Sequence, residues 1–431
     1  MKYLILIFIA FAALKINAQQ FAPITSQLVQ NINIFDGRIS WMVQLKNGNL
    51  LIKEHLSNST MPAYTDDSTI HIASGCKWPA MTVIMKLVEQ GKLSLTDTIS
   101  KFYTNNEFSQ QQSQITLLQL MTHTHGYGYF DDWVATLDIN LQDSALGIAQ
   151  GGQLNGKYVP KEDLKNPPGT TVLYGDIGMQ IAGAIAEKVT GKGFNQLFLD
   201  LLGNPMGMVN AKFTAFDGEI GDNVAIADGF YVRMIDYANF MLMLMNGGVF
   251  KGQKILEKSS VDAILQDYTG NLKVDPSNSN YATNGKLSFG LGNWILNDGT
   301  RHSSNGIHKF YNYFDTQYNY LAIFYLRTKL DTQDKTDDLF DKLSLQIDKI
   351  VNSTSSFSQP TFNFKNHNIT YEMMEEKTKM SQETILMIIH EILELIKVPL
   401  GMFPIYAKQI RQDQHKQKKF KLLQRQKWKA K

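Results

Sequence analysis

Segments typical of β-strands lie at both ends of the central chain, and segments typical of helices lie between them, which strongly restricts the fold. Two apolar runs, Trp41 to Leu45 and Leu50 to Ile52, flank an Asn47-Gly48 pair, which is typical of a β-hairpin turn. Alternating aromatic and aliphatic residues return near the other end, over 310–314 and 320–326. Three intervening segments have helical apolar spacing and end at or near a glycine: 78–89, 177–189 and 236–245. This order predicts an α/β fold of the α+β type, in which an antiparallel sheet formed from the N- and C-terminal parts of the unit carries an inserted helical lobe.

Composition divides the 431 residues into four parts. Residues 1–18 resemble a signal peptide, because Lys2 precedes an apolar run too short to span a bilayer and Ala18 suits cleavage; an uncleaved membrane anchor is the alternative. Residues 19–352 have the composition of one continuous globular unit. Residues 353–371 begin with a Ser-rich stretch typical of a linker, and residues 372–431 comprise an amphipathic helical segment and a basic tail. We therefore expect an exported protein that is periplasmic or secreted.

Charge is segregated along the chain. Residues 408–431 contain ten Lys and Arg and one acid, whereas the rest of the chain has 32 basic and 39 acidic residues. A mildly acidic body without a basic stripe excludes nucleic acid as an expected partner. The basic tail follows an apolar segment over 385–407, a pattern that predicts peripheral contact with anionic membrane lipids; the alternative is a helix packed on the body with a solvated tail. The single cysteine, Cys76, excludes an intramolecular disulfide, which together with export suits a bacterial envelope.

Ser74-Gly75-Cys76-Lys77 places a hydroxyl three residues before an amine, directly ahead of the predicted helix over 78–89. At this spacing the two side chains share one helical face. A Ser hydroxyl becomes a nucleophile when a neighbouring base takes its proton, and a desolvated Lys amine can be that base. Ser-x-x-Lys is the nucleophile motif of serine β-lactamases and penicillin-binding proteins. The structural alternative is that Ser74 caps the helix, and Pro79 removes one helical hydrogen bond unless the helix starts late.

Further segments resemble, in the same order, those of the class C β-lactamase-related serine hydrolases. They are 72–78 with its exit turn 86–95, the 116–126 turn that contains His123-Thr124-His125-Gly126, Pro168-Gly169-Thr170, Tyr174-Gly175-Asp176, and Ser304-Asn305-Gly306 with the strand that follows. The resemblance covers about residues 30 to 345 and implies that 19–352 is a β-lactamase-like hydrolase domain.

The resemblance implies three catalytic residues, Ser74, Lys77 and Tyr174, and an oxyanion site that includes Ile307. Ser74 would attack a carbonyl carbon, and Lys77 and Tyr174 would share the removal and return of its proton. Backbone N–H groups of Ser74 and Ile307 would hold the oxyanion. For Tyr174 the structural alternative is a packed aromatic ring.

The resemblance also implies a substrate-binding group formed by Asp176, Ser304 and Gly306, with a small ester or amide, or a peptidoglycan-like molecule, as the substrate. Asp176 replaces a usual Asn, so its charge is expected to raise the pKa of Lys77 and to repel a substrate carboxylate. Ser304 replaces a usual Lys or His and so removes a receptor for such a carboxylate, while Lys309 could supply a compensating charge. These departures favour a neutral ester or amide, with at most weak β-lactamase activity. The alternatives are a catalytically weakened member that binds envelope ligands, and a peptidoglycan DD-peptidase.

Two histidine pairs, His123 with His125 and His302 with His308, are candidates for a metal site. Zinc needs three or four ligands, and the sequence has neither an H-E-x-x-H motif nor a Cys/His cluster. We therefore predict no metal and no cofactor. Cys76 is expected to be a small buried apolar residue rather than a reactive thiol.

Overall fold

The computed structural model describes residues 19–104, 107–128, 139–154, 157–159, 161–216, 218–277, 287–328 and 333–354. The predicted signal peptide, the basic tail and all but the first two residues of the predicted linker lie outside these ranges. Within them the helices are α1 (19–30), α2 (Lys77–Glu89), α3 (Gln110–Ser113), α4 (Leu117–Met121), α5 (Leu141–Gln150), α6 (Ile177–Thr190), α7 (Phe194–Phe198), α8 (Met234–Met245), α9 (Lys258–Leu265) and α10 (Gln333–Thr354). No helix in the described ranges is both long enough and apolar enough to cross a membrane.

The strands comprise one large antiparallel sheet and several short pairings. They are β1 (Arg38–Leu45), β2 (Leu50–Ser57), β3 (Thr69–His71), β4 (Gly152–Leu154), β5 (Lys157–Val159), β6 (Thr171–Val172), β7 (Lys212–Phe213), β8 (Phe230–Arg233), β9 (Val249–Phe250), β10 (Gln253–Lys254), β11 (Lys273–Val274), β12 (Trp294–Leu296), β13 (Arg301–Ser303), β14 (Tyr311–Asp315) and β15 (Tyr320–Tyr325). The large sheet has the order β12-β13-β14-β15-β1-β2, and a smaller sheet has the order β3-β8-β7.

The pairing of β1 with β15 joins the two ends of the unit in one sheet. The strands run antiparallel, and Trp41 lies opposite Phe324. The helices α2 to α9 lie in the sequence between β2 and β12, so they form an insertion between the two halves of the sheet. The predicted fold class, an antiparallel sheet from both ends with an inserted helical lobe, is confirmed.

Alternation of side chains along the strands gives the sheet two buried faces. On β1, Ile39, Trp41 and Val43 belong to one apolar cluster, whereas Met42 belongs to the other. This separation is what the two-residue period of a strand requires. The first cluster is covered by α1 and α10, which contribute Phe21, Ile24, Leu28, Phe340, Leu343 and Ile347. The second cluster packs against the helical lobe.

Helix α2 is the buried centre of that lobe. Residues from Lys77 to Met85 are all buried, and α6 and α9 pack against the helix. The helix begins at Lys77, so Pro79 lies in the first turn, where a backbone N–H has no partner within the helix. Pro79 therefore removes no helical hydrogen bond, as expected for a helix that starts late.

Candidate active site

Ser74 lies in a tight turn between β3 and α2. The turn is a 3-10 helix over Ala73–Cys76, and its first residue has a left-handed φ of 48°. Such a backbone costs a non-glycine residue about 1 kcal/mol and is common near functional groups. Ala73, Gly75 and Cys76 are buried, whereas Ser74 is partly exposed. Ser74 is not the capping residue, because the residue before α2 is Cys76 and its side chain makes no capping hydrogen bond.

Lys77 is buried and its ammonium group has three acceptors. Nζ lies 2.8 Å from Ser74 Oγ, 2.9 Å from the carbonyl oxygen of Ala227 and 2.7 Å from Asp176 Oδ1. Burial acts to lower the pKa of Lys77, but the negative charges of Asp176 and of ionised Tyr174 outweigh burial and raise this pKa well above its usual value. The raised pKa favours a charged ammonium group at neutral pH, which acts as a hydrogen-bond donor to these neighbours.

Tyr174 is both a packed aromatic and a neighbour of the nucleophile. Its ring stacks on Trp294 at 4.8 Å between centroids, and its hydroxyl hydrogen-bonds with the side chains of Ser74 and Lys77. Burial raises the pKa of Tyr174 to about 12, although the positive charge of Lys77 opposes that rise. The hydroxyl is thus placed where it can exchange a proton with Ser74 Oγ.

Asp176 immediately precedes α6, where a short acidic side chain often caps the helix. Its carboxylate makes no capping hydrogen bond and is paired with Lys77 instead. The side chain is 21% exposed, so part of the carboxyl group remains accessible to solvent. The structure thus brings Ser74, Lys77, Tyr174 and Asp176 together, as the sequence predicts.

The third motif packs against the turn that carries Ser74. The Ser304 hydroxyl lies 3.1 Å from the backbone oxygens of both Ser74 and Gly292. A Cβ atom at Gly306 would overlap the carbonyl oxygen of Ile72, so only glycine fits this contact. Ser304 is therefore engaged with the protein backbone, and its predicted contact with substrate stays a prediction.

Ile307 and Lys309, which follow Gly306, have different surroundings. Ile307 has a side chain that is 47% exposed, and its predicted oxyanion role stays a prediction. Lys309, with a left-handed φ of 75°, places Nζ 2.6 Å from Asp337 on α10. The predicted compensating charge of Lys309 is therefore already neutralised by a carboxylate of the protein itself.

His123 and His125, in the turn after α4, accept hydrogen bonds as neutral rings. His123 Nδ1 accepts a bond of 3.4 Å from Gly175 N, and His125 Nδ1 accepts one of 3.1 Å from Tyr127 N. Burial lowers the pKa of His123 well below its ordinary value and that of His125 to about 3. In the described ranges no group of three or more His, Cys, Asp and Glu side chains could hold a metal ion.

Two features beside Lys77 have no signature in the sequence. The carbonyl of Ala227 accepts a hydrogen bond from the ammonium group, and the next residue, Asp228, lies 3.1 Å from His71 Nε2. A backbone acceptor has no side-chain signature, so no motif could have indicated Ala227. The pairing of His71 with Asp228 depends on the contact between β3 and β8, which the sequence pattern did not predict.

Comparisons with known proteins agree on one family. The family model described as Beta-lactamase matches residues 46–345. A solved structure of a beta-lactamase candidate from Bacteroides dorei is 25% identical, covers 77% of this chain and 99% of its own, and has a TM-score of 0.62. The hydrolase EstCE1, described as having promiscuous acyltransferase activity, shares the fold at 18% identity, with 80% of this chain and 99% of its own covered and a TM-score of 0.58.

Curated relatives match over shorter stretches. The D-alanyl-D-alanine-carboxypeptidase/endopeptidase AmpH of Escherichia coli K12 is 25% identical over 150 residues, which cover 34% of this chain and 37% of AmpH. Esterase EstB of Burkholderia gladioli is 25% identical over 166 residues, which cover 36% of this chain and 41% of EstB. The chain thus spans well under half of the length of either relative.

Proposed function

The chain belongs to the beta-lactamase family, and from this premise we propose that it is a serine hydrolase that acts on a neutral ester or amide through an acyl-enzyme on Ser74. The observation that carries the proposal is the 2.8 Å contact between Lys77 Nζ and Ser74 Oγ. Because the charged Nζ donates to Ser74 Oγ, the Ser74 oxygen accepts one bond and has its own proton left to donate. The neighbouring group that can receive it is the Tyr174 hydroxyl.

Proton transfer then follows from this arrangement. Ionised Tyr174 takes the proton of Ser74, and Oγ attacks the carbonyl carbon of the substrate to give a tetrahedral oxyanion. Tyr174 returns the proton to the departing alkoxide or amine, which leaves Ser74 acylated. A water molecule attacks this ester in the same way and releases the acid. Lys77 stays charged throughout and stabilises the phenolate and the serine alkoxide, so the base role predicted for both residues falls to Tyr174 alone.

The charges around the site support a neutral acyl group. Asp176 is partly exposed beside the nucleophile and would repel a carboxylate. Ser304, which stands where a Lys or His would receive a substrate carboxylate, contacts backbone oxygens, and Lys309 is paired with Asp337. EstB, an esterase by name, fits this preference better than AmpH, a carboxypeptidase by name. A peptidoglycan DD-peptidase is therefore the second candidate, and a ligand-binding member with little turnover is the third.

Covalent labelling tests the proposal directly. The purified protein is incubated with a fluorophosphonate and, separately, with a fluorescent penicillin, and its intact mass is measured alongside Ser74→Ala. We expect a Ser74-dependent adduct with the phosphonate alone. Adducts with both reagents would favour the peptidase candidate, whereas a folded protein without any adduct would contradict the hydrolase proposal and favour the binding candidate.

We propose in addition that the protein is exported and that its basic tail contacts membranes. Residues 1–18 have the composition of a signal peptide, and residues 408–431 are strongly basic. The test uses two proteins, residues 19–431 and residues 19–360. The fraction of each protein bound to vesicles is measured with and without anionic lipid. Equal partitioning of the two chains would contradict the role of the tail, and an unprocessed N-terminus after expression in a bacterium would contradict export by cleavage.

A further inference from the structure

We propose that His123 is a positioning residue for Tyr174: it holds the backbone on both sides of that residue and packs against its ring. This inference rests on the proposed function, because Tyr174 is the proton acceptor there. His123 follows α4 and lies on a different segment of the chain from Tyr174, which follows β6.

Two hydrogen bonds bracket Tyr174. The N–H of Leu173 donates to the backbone oxygen of His123 at 2.9 Å, and the N–H of Gly175 donates to His123 Nδ1 at 3.4 Å. The residues immediately before and after Tyr174 are therefore both tied to one histidine. A tyrosine held at both flanking peptides has little freedom to move its hydroxyl away from Ser74, and misplacement by about 1 Å can cost about a hundredfold in rate.

The imidazole ring adds a third restraint. Its centroid lies 4.5 Å from the Tyr174 ring and 4.6 Å from the Phe289 ring. Because Nδ1 accepts from Gly175, the proton of the neutral ring is on Nε2, and Nε2 is buried without a hydrogen-bond partner among the described residues. A buried N–H without a partner costs about 1–3 kcal/mol. A leucine or phenylalanine would avoid this cost, so the histidine is more easily explained by what Nδ1 does than by packing.

The backbone conformation at His123 suits a substitution that keeps the hydrogen bond from Gly175 N–H. Its φ is 58°, a left-handed value that asparagine adopts more readily than most residues. The amide oxygen of asparagine can replace Nδ1 as acceptor for Gly175 N–H. Leucine has nearly the same shape as asparagine but accepts no hydrogen bond. His123→Asn and His123→Leu therefore differ in the acceptor and in how readily they adopt this backbone, and the urea midpoint of each variant reports the second effect.

A second histidine in the same turn provides the control. His125 is also buried, and its Nδ1 likewise accepts a backbone N–H, but from Tyr127 rather than from the segment of Tyr174. His125→Leu removes an equivalent bond two residues away. A loss of activity common to both leucine variants would indicate damage to the fold rather than to the position of Tyr174.

The experiment measures the rate at which a fluorophosphonate labels Ser74 in the full chain between pH 6 and pH 10, together with the urea midpoint of each variant. We expect His123→Leu to label about tenfold to a hundredfold more slowly across this pH range. His123→Asn and His125→Leu are expected to stay within about threefold of the unmodified protein and to keep its pH profile. If His123→Leu does not fold, it is replaced by His123→Phe. Phenylalanine keeps the ring volume but has no acceptor, so we expect the same decrease in the labelling rate.

Two outcomes would overturn the inference. If His123→Leu or His123→Phe labels as the unmodified protein does, the proposed function stands and His123 has no positioning role. The same conclusion follows if His123→Asn loses as much as His123→Leu does. If the folded, unmodified protein is not labelled at all, the proposed function fails, and the inference that rests on it fails with it.

Discussion

At the scale of single residues, the ion pair between Lys77 and Asp176 governs how readily Ser74 can be activated. Asp176 holds Lys77 in its charged form and also acts to raise the pKa of Tyr174. Asp176→Asn removes that negative charge, so a larger fraction of Tyr174 is ionised at neutral pH. We expect fluorophosphonate labelling at pH 7 to become about threefold to tenfold faster, which corresponds to about 0.7–1.4 kcal/mol.

A matched control for this charge change is Asp337→Asn. Asp337 also pairs with a lysine, Lys309, but it lies on α10 outside the proposed site. This variant is expected to label at the unmodified rate. A loss of tenfold or more in Asp176→Asn alone would show that the carboxylate assists catalysis, which contradicts its expected inhibitory effect.

The hydroxyl of Tyr174 gives a second prediction at this scale. Since burial raises its pKa to about 12, the ionised fraction grows about tenfold for each pH unit below that value. The logarithm of the labelling rate is therefore expected to rise with a slope near one from pH 6 to pH 9. Tyr174→Phe should lower the rate by about a hundredfold to ten-thousandfold and abolish the slope.

Tyr127→Phe is the control for that substitution. The Tyr127 hydroxyl is buried and has no hydrogen-bond partner among the described residues, so its removal takes away no bond of the site. This variant is expected to keep both the rate and the slope. A slope that survives in Tyr174→Phe would move the base role to another group.

Motifs in the sequence were sufficient to indicate which side chains meet, but not what each one does with its hydrogen bonds. Ser74, Lys77, Tyr174 and Asp176 come together because each belongs to a short motif. The engagement of Ser304 and Lys309 with other parts of the protein could not be inferred, because their partners are backbone oxygens and a carboxylate on a distant helix. Such contacts depend on tertiary structure and leave no local pattern.

At the scale of elements, long segments with a clear period were predictable and short ones were not. The predicted helix over 177–189 is observed as Ile177–Thr190, and the predicted strand over 320–326 as Tyr320–Tyr325. Strands of two or three residues, such as those of the β3-β8-β7 sheet, are too short to show a period. The 3-10 turn before α2 also has no apolar pattern, because its form is set by the left-handed backbone of Ala73.

Arg301 on β13 forms ion pairs with β14 and α10, and its substitution gives the prediction at this scale. It is 4% exposed and lies at 2.7 Å from Asp348 on α10 and at 3.3 Å from Asp315 on β14. Arg301→Leu leaves the buried Asp315 and the partly buried Asp348 without their cation, so we expect the free energy of unfolding in urea to fall by about 3–5 kcal/mol.

The exposed pair of Lys342 and Asp338, on the same helix, is the comparison. Both side chains are at least 70% exposed, and Lys342→Ala is expected to change the free energy of unfolding by less than about 0.5 kcal/mol. A loss below about 1 kcal/mol in Arg301→Leu would mean that water replaces the cation and that the link between β13 and α10 contributes little.

At the scale of the whole molecule, buried histidines make stability depend on pH. Burial lowers the pKa of His125 to about 3 and that of His302 to about 4, and it lowers the pKa of His123 strongly. Unfolding restores ordinary values near 6.5, so below that pH the unfolded state binds more protons. Stability is therefore expected to fall as the pH decreases from about 6.5 towards 4, by up to about 1.4 kcal/mol per pH unit for each histidine.

Glu187 opposes this trend and provides the variant that tests it. Burial raises its pKa to about 7, and it accepts a hydrogen bond of 2.7 Å from Phe194 N. Between its ordinary value near 4.5 and about pH 7 the folded state holds the extra proton, so this group adds stability as the pH falls. Glu187→Gln keeps the acceptor for Phe194 and removes the titration. We expect this variant to be up to about 3 kcal/mol more stable at pH 8 and to gain little at pH 4.5.

Urea unfolding of Glu187→Gln and the unmodified protein at pH 8, 7, 6, 5 and 4.5 measures both effects. The net proton uptake on unfolding between pH 6 and pH 5 should be about one proton larger for the variant, because buried histidines gain protons in both proteins and Glu187 loses one only in the unmodified protein. Equal slopes in the two proteins would show that Glu187 is ionised in the folded state across this range. A flat profile in both would instead mean that the three histidine pockets admit water or open locally before the fold is lost, and that their burial does not limit stability in acid.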